Sequence, residues 1–371
     1  MVNIYILVAA IAFAERALLS SVGHHFDLES WWIVSGIVQA GDSVYANTHR
    51  YNYGPCWGYI LAVLRWLSQQ TGPDTIERFH LFVSSFLSLF DIGIAIILGR
   101  RFGLIAYVFF LLNPIGIMLT GYRSHMDNVA ILFGLAAWEI FAYRALSIKT
   151  ILLSGILLGL SLSTKHILIA FLVWLPFLRR PVLKNTLPAM AISCVAGSLF
   201  LLSFTPWLFD PASLQGIRKH VIEYSSTEGF SIIFALKTFT TDYLGLSSLS
   251  GVPLRTMFIV LLSAAGPLVA IFTKTWQRAF YIYLLAVFAL SSGTADQYLA
   301  VPLATVAISL NTPWAWLFTA IGTIGILLGG DNILSSFGAL ASQIPFFAAA
   351  QLCLLVLWYQ ILRRPTTRIK A

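Results

Sequence analysis

Charge is what this chain has little of. Only 10% of its 371 residues are Asp, Glu, Lys or Arg, against roughly 25% in a typical soluble domain. Hydrophobic residues make up 58%, and the mean hydropathy is +0.83. That shortfall, with apolar runs recurring to the end, excludes an ordinary soluble globule and points to a polytopic membrane protein. Cysteine is scarce as well. Cys56, Cys194 and Cys353 lie far apart, which leaves no disulfide framework and no cysteine spacing for a metal. There is no Walker motif and no dinucleotide-binding glycine pattern; the glycines of "GILLGL" and "LFGLAAW" read as helix-packing positions. The opening run from Val2 to Ala14 lacks a basic leader and a small-residue cleavage site, so it is expected to be a retained helix.

Apolar runs are abundant. A helix needs about 20 mainly apolar residues to cross a bilayer. Candidate spans fall at roughly 2–20, 79–99, 102–121, 128–143, 150–164, 166–178, 186–207, 255–273, 279–294, 297–310, 314–330 and 335–361. The fold class expected is therefore all-α, about twelve spans in one integral-membrane domain over 1–371. A further apolar piece, 56–69, is re-entrant or interfacial. With the N-terminus inside, the inner segments hold Arg100, Arg101, Arg144, Lys149, Arg179, Arg180, Lys184, Lys274, Arg278, Arg363, Arg364, Arg368 and Lys370, and no acid. The other face then receives twelve of the fifteen acids and all seven histidines. By the positive-inside rule this orientation is the expected one. The net charge of +8 is thus a topology signal and not a nucleic-acid footprint.

Polar chemistry gathers on the extracytoplasmic side in three places: the first loop (21–78), the turns near 122–128 and 164–166, and a second loop (208–254). In the first loop, Leu28 to Ala40 has a helical apolar pattern with Trp31 and Trp32, too short to span and suited to the interface. Asp27 stands at its start. It is either an N-cap or a catalytic carboxylate, and Glu29 is the second acid. Then comes "GDSVYANTHRYNYGP", in which Tyr45, Tyr51 and Tyr53 make an aromatic belt at the headgroup level or, beside His49 and Arg50, line a groove for a sugar and a phosphate.

An acid just after the first span, an interfacial helix and then "G-D-S-V-Y-x-x-x-x-R-Y-N-Y-G-P" resemble the GT-C superfamily of membrane glycosyltransferases. Within it the chain is most similar to the glycosylphosphatidylinositol mannosyltransferase I family and to bacterial polyprenol-phosphate-mannose-dependent mannosyltransferases. Those families show a D-x-D/E loop, "G-x-S-P-Y" and "Y-x-Y-P-P"; here Val44 replaces the first proline and Gly54-Pro55 the double proline. "GYRSHMDNVA" (121–130), "GLSLSTKHILIAFLVWLP" (159–176) and "SSGTADQYLAVPL" (291–303) resemble later family segments in the same order.

The resemblance implies an inverting enzyme that moves a hexose, most readily mannose, from a polyprenyl-phosphate carrier to an extracytoplasmic glycolipid or glycan. It implies a multi-pass protein, in the plasma (inner) membrane if bacterial, with membrane lipids around it and no nucleic-acid partner. One carboxylate base suffices for inversion: Asp27, with Glu29 as alternate or support. Lys165, His166 and Arg123 are candidates for the leaving phosphate, although Lys165 reads equally as an interfacial lysine. The Arg218-Lys219-His220 trio is a further candidate, or a solvated loop face. His125, Asp127, Arg50, Tyr51, Tyr53, Gln297 and Tyr298 are candidate sugar, acceptor or carrier contacts, and Asp127 is alternatively the cap of the fourth span. Glu15 and Arg16 are expected to neutralise each other or to meet Asp91. No cofactor and no metal is expected. A transporter or flippase of lipid-linked saccharide is one rival, a polysaccharide ligase or polymerase another.

Overall fold

A chain this apolar must satisfy its backbone hydrogen bonds within itself, and the helix does so segment by segment. The computed structural model describes residues 2–178, 183–223, 237, 254–272, 276–291, 295–328 and 344–363, and among them no strand occurs. The fold is all-α. Its helices begin α1 (Val2–Leu19), α2 (Phe26–Gln39), α3 (Val44–Asn47), α4 (Pro55–Gln70), α5 (Ile76–Phe102) and α6 (Leu104–Leu111). They continue α7 (Pro114–Ile117), α8 (Asp127–Tyr143), α9 (Ile148–Thr164), α10 (Phe171–Leu178), α11 (Leu183–Leu202) and α12 (Pro211–Gly216). After these come α13 (Leu254–Phe272), α14 (Ala279–Ala289), α15 (Leu303–Ala307), α16 (Pro313–Leu327) and α17 (Ile344–Arg363).

Helix α5, at 27 residues, and the stretch Thr186–Trp207, at 22, are long and apolar enough to cross a membrane. The pair Leu104–Leu111 and Pro114–Tyr122 makes a third if its 44° bend is one span. At about 1.5 Å per residue α5 is roughly 40 Å long, longer than the bilayer's hydrocarbon core of about 30 Å. The sequence leads one to expect about twelve spans, and helices do lie in those apolar stretches, but most are shorter. Local breaks explain several. Gly103, at φ +94°, separates α5 from α6. Asn113-Pro114 bends the next segment, with Asn113 Oδ1 accepting from Ile115 N at 3.0 Å. Outward faces are nonetheless apolar: Leu89 and Ile96 on α5, and Leu187, Met190, Leu201 and Leu202 on α11, are exposed. Such a surface suits lipid better than water. Of the expected second loop, 224–236 and 238–253 lie outside the described residues, as do Arg179, Arg180, Lys274, Arg364, Arg368 and Lys370.

The described residues within 1–96, 116–169 and 190–224 form one compact unit, and those within 97–115, 170–189 and 225–371 a second. In the first, α8 packs along α9, and Ser161 Oγ donates to Ala130 O across them at 2.7 Å. The glycines of "GILLGL" do pack helices: a Cβ on Gly155 would lie 2.7 Å from Val195, and one on Gly159 2.7 Å from Leu199, both on α11. Buried charge is paired where α1 meets α5. Arg16 Nε donates to Asp91 Oδ2 at 2.9 Å, and Asn128 Nδ2 donates to Asp91 Oδ1. Glu15 has no part in that pairing.

In the second unit Trp174 Nε1 of α10 donates to Leu262 O of α13 at 2.7 Å, and Gln351 Nε2 of α17 to Phe288 O of α14 at 3.1 Å. A cavity of about 480 Å³ there is lined by Phe102, Tyr281, Asn311 and Ile361, with Arg278 the one charged residue among the described ones.

Candidate active site

The first loop's aromatic residues form a core and not a belt. Trp31, Tyr45, Tyr51, Tyr53 and Trp57 are buried together with Phe79 and Phe204. Trp31 meets Trp57 edge-on at 5.9 Å, and Tyr45 meets Trp207 at 5.3 Å. Tyr51 is wholly buried; its hydroxyl accepts from Gly58 N at 2.7 Å and donates to Gly54 O at 2.5 Å. Both uses are structural, so Tyr51 is corrected from a sugar contact to the fastening of the Tyr-Gly-Pro turn onto α4. Burial drives the phenols of Tyr45 and Tyr51 well above their ordinary value, so both stay protonated. Gly54 sits where a Cβ would lie 2.2 Å from Ser163 O. That close approach brings the first loop against the end of α9, beside Lys165.

Helix α2 starts two residues earlier than the apolar pattern suggests, and its cap is His25. The His25 Nδ1 accepts from Asp27 N at 3.3 Å. Asp27 is therefore inside the first turn, and the N-cap reading of it is corrected. Its carboxylate, 23% exposed, lies 3.2 Å from His25 Nδ1 and 3.6 Å from His125 Nδ1 through the same oxygen, Oδ2. Burial pushes this carboxyl up. Its neighbours His25, His125 and Lys165 outweigh it and hold Asp27 below the ordinary carboxylate value.

His125 comes from a turn that follows a π-helical stretch, Met118–Tyr122. Ser124 in that turn has φ +54°, the one non-glycine positive φ among the described residues, a conformation costly for a residue with a Cβ. Ser124 O accepts from Trp31 Nε1 at 3.3 Å, which ties the turn to α2. His125 is 3% exposed, and its Nε2 has no hydrogen-bond partner. Burial first, then the charges of His25, Arg123 and Lys165, drive the imidazole well below its ordinary value despite Asp27. It is neutral at neutral pH.

Lys165 and Asp127 meet as a buried ion pair, Nζ lying 2.8 Å from Oδ1 and 2.9 Å from Oδ2. Asp127 is fully buried, and the N-cap of α8 is Met126 without a side-chain bond. Asp127 is thus neither a cap nor an open sugar contact; its carboxylate belongs to Lys165. The Lys165 ammonium also lies 5.3 Å from the Tyr53 ring centre. It is buried, which corrects the interfacial-lysine alternative. Arg123, four residues before Asp127 in sequence, is buried too, and His166, half-buried, opens the 3₁₀ turn His166–Leu168.

Glu29 is 52% exposed and faces Arg50 at 3.7 Å, while Arg50 also lies over the Phe26 ring at 5.1 Å. Glu29 stands apart from the histidines. Of the Arg218-Lys219-His220 trio, Arg218 pairs with Glu223 at 2.7 Å on an exposed face. Gln297 and Tyr298 are half-buried in the 3₁₀ turn Asp296–Ala300 of the second unit.

The residue missed in the sequence is His25. Histidine is not among the favoured caps, and the only available signal was its place two residues before Asp27 in "GHHFDLES". The arrangement as a whole offers an ionised, partly open carboxylate, neutral imidazole and buried positive charge at neighbouring helix ends. It is suited to taking a proton beside an anion. No family model, no curated protein and no solved structure matches this chain.

Proposed function

We propose that the protein is a polytopic membrane enzyme of about twelve spans, an inverting glycosyltransferase of GT-C type. It moves a hexose, most readily mannose, from a polyprenyl-phosphate carrier to a hydroxyl of an extracytoplasmic glycolipid or glycan. The observation that carries this reading is the seat of Asp27: ionised and reachable, among groups the charge pattern assigns to the outer face.

In the proposed step the acceptor oxygen attacks the sugar's C1 and gives its proton to Asp27. The bond from C1 to the phosphate oxygen breaks, its electron pair leaving with the carrier phosphate. One base and one displacement invert the anomeric centre. Positive charge from Arg123 offsets the leaving phosphate, with Lys165 adding to it at a discount because Asp127 already faces it. His166 stands beside them. Arg50 and Tyr53 flank the acceptor side. Gln297 and Tyr298, in the second unit, enter no step.

The test is transfer by the purified full chain in detergent, from synthetic polyprenyl-phosphate mannose, glucose and galactose and from the matching nucleotide sugars. Transfer from a lipid-linked donor with inverted anomeric configuration is expected. Activity with nucleotide sugars alone would overturn the reading.

The Arg16–Asp91–Asn128 network favours a second reading, transport of a lipid-linked saccharide, because Asp91 lies near the middle of the longest span and intramembrane charge is costly to keep. Movement of an unmodified lipid-linked sugar across proteoliposomes, without transfer, would select it.

A further inference from the structure

We propose that His25, Asp27 and His125 bind a divalent transition-metal ion of the zinc type. The inference goes beyond glycosyl transfer and stands whether or not that reaction occurs, although Asp27 is common to both.

Three ligand-type side chains converge here from two segments about a hundred residues apart in sequence, and their ligating atoms lie within 4.8 Å of one another. Zinc binds histidine nitrogen and carboxylate oxygen at about 2.0–2.2 Å, so tetrahedral ligands stand roughly 3.3–3.6 Å from each other. The two nitrogen–oxygen separations on Asp27 Oδ2 are 3.2 and 3.6 Å. A 3.6 Å contact is too long for a hydrogen bond. The histidine rings, with centres 5.9 Å apart, straddle the carboxylate without stacking.

A purely structural account leaves much over. The α2 cap needs His25 but not His125. His125 is nine-tenths buried and more, and takes no part in the cap. Two nitrogens and one oxygen select zinc, copper or nickel over magnesium or calcium. Three protein ligands leave the fourth position open, the form of reactive and not of closed structural zinc sites. That position takes water, a hydroxyl or a phosphate oxygen.

The test uses the full chain in detergent, stripped with EDTA and titrated with Zn²⁺. Bound metal is counted by elemental analysis, and Co²⁺ replacement is read by its tetrahedral visible spectrum. One ion per chain is expected. His25→Asn, which keeps an N-capping side chain, and His125→Gln should each weaken binding at least tenfold, about what losing even an outer partner of a metal ligand costs. The exposed His49→Asn should bind as the wild type does. If His125→Gln fails to fold, His25→Asn alone decides. Absence of stoichiometric binding, or wild-type affinity in His25→Asn, overturns the proposal. Transfer measured on the same preparation separates the two readings. Transfer by a chain that takes up no metal on titration ends the metal site and leaves the enzyme; bound metal without transfer from any donor ends the enzyme and leaves the metal site.

Discussion

Replacing Asp27 by Asn is expected to abolish transfer, by about 10²–10⁴-fold or more, while expression and thermal stability stay near wild type. The amide keeps the side chain's size, and the helix cap is unaffected because it belongs to His25. Glu29→Gln should cost far less, since Glu29 is half exposed and faces Arg50 only. Substantial activity in Asp27→Asn would remove it as the base. The carboxyl of Asp27 is held below its ordinary value, so the acid limb of kcat/KM should lie below the usual carboxylate range near 3.9. Activity is full above that limb and falls as pH drops through the depressed value. A limb at or above the ordinary value would mean another group takes the proton. At this scale Asp27 was legible because an acid at the edge of an apolar helix is conspicuous. His125 was legible only as a candidate sugar contact and His25 not at all, since their meeting depends on a turn with Ser124 at positive φ, which no local pattern announces.

Between elements, the informative positions are contacts whose partners are backbone or buried charge. Gly54→Ala would drive a methyl to 2.2 Å from Ser163 O. Neither backbone can yield cheaply, so a loss of about 1–3 kcal/mol is expected in thermal or denaturant unfolding, with transfer weakened because Lys165 is displaced with the end of α9. Unchanged stability would show that the two segments are not held together as described. The Lys165–Asp127 pair yields a sharper expectation. Lys165→Met leaves a buried carboxylate without its partner, which costs about 3–5 kcal/mol. Lys165→Met with Asp127→Leu should recover most of that. If transfer returns with stability, the lysine's role is structural; if stability returns while KM for the donor stays raised, Lys165 also serves the phosphate. The sequence pattern located both residues and the family-like turns that carry them, yet it could not show that each is the other's partner. Pairing across 38 positions is a tertiary fact. For the same reason Tyr45, Tyr51 and Tyr53 passed for a belt: amphipathic rings suit an interface and a core equally well, and only packing decides.

For the whole molecule, the orientation rests on charge, and it can be checked with cysteines. In the first unit, segments that the charge pattern assigns to one face do meet: the first loop, the 122–128 turn and the 164–166 turn join through Trp31–Ser124, Lys165–Asp127 and Gly54–Ser163. The alternation of inner bases and outer acids would produce that meeting, whereas a shift of one span between α1 and α9 would part them. Native Cys56 is a poor reporter, because it is half-buried at the start of α4 and burial raises its thiol above the ordinary value. The thiolate is the reactive form. Better reporters are Asp42→Cys and Lys149→Cys, both at exposed positions, in a chain whose three native cysteines are replaced by serine or alanine. In intact cells an impermeant maleimide should label Asp42→Cys and spare Lys149→Cys, which becomes reactive once the membrane is permeabilised. The reverse pattern would invert the molecule and put Asp27 in the cytosol. Labelling of both in intact, sealed cells would break the alternation itself, and with it the expected span count.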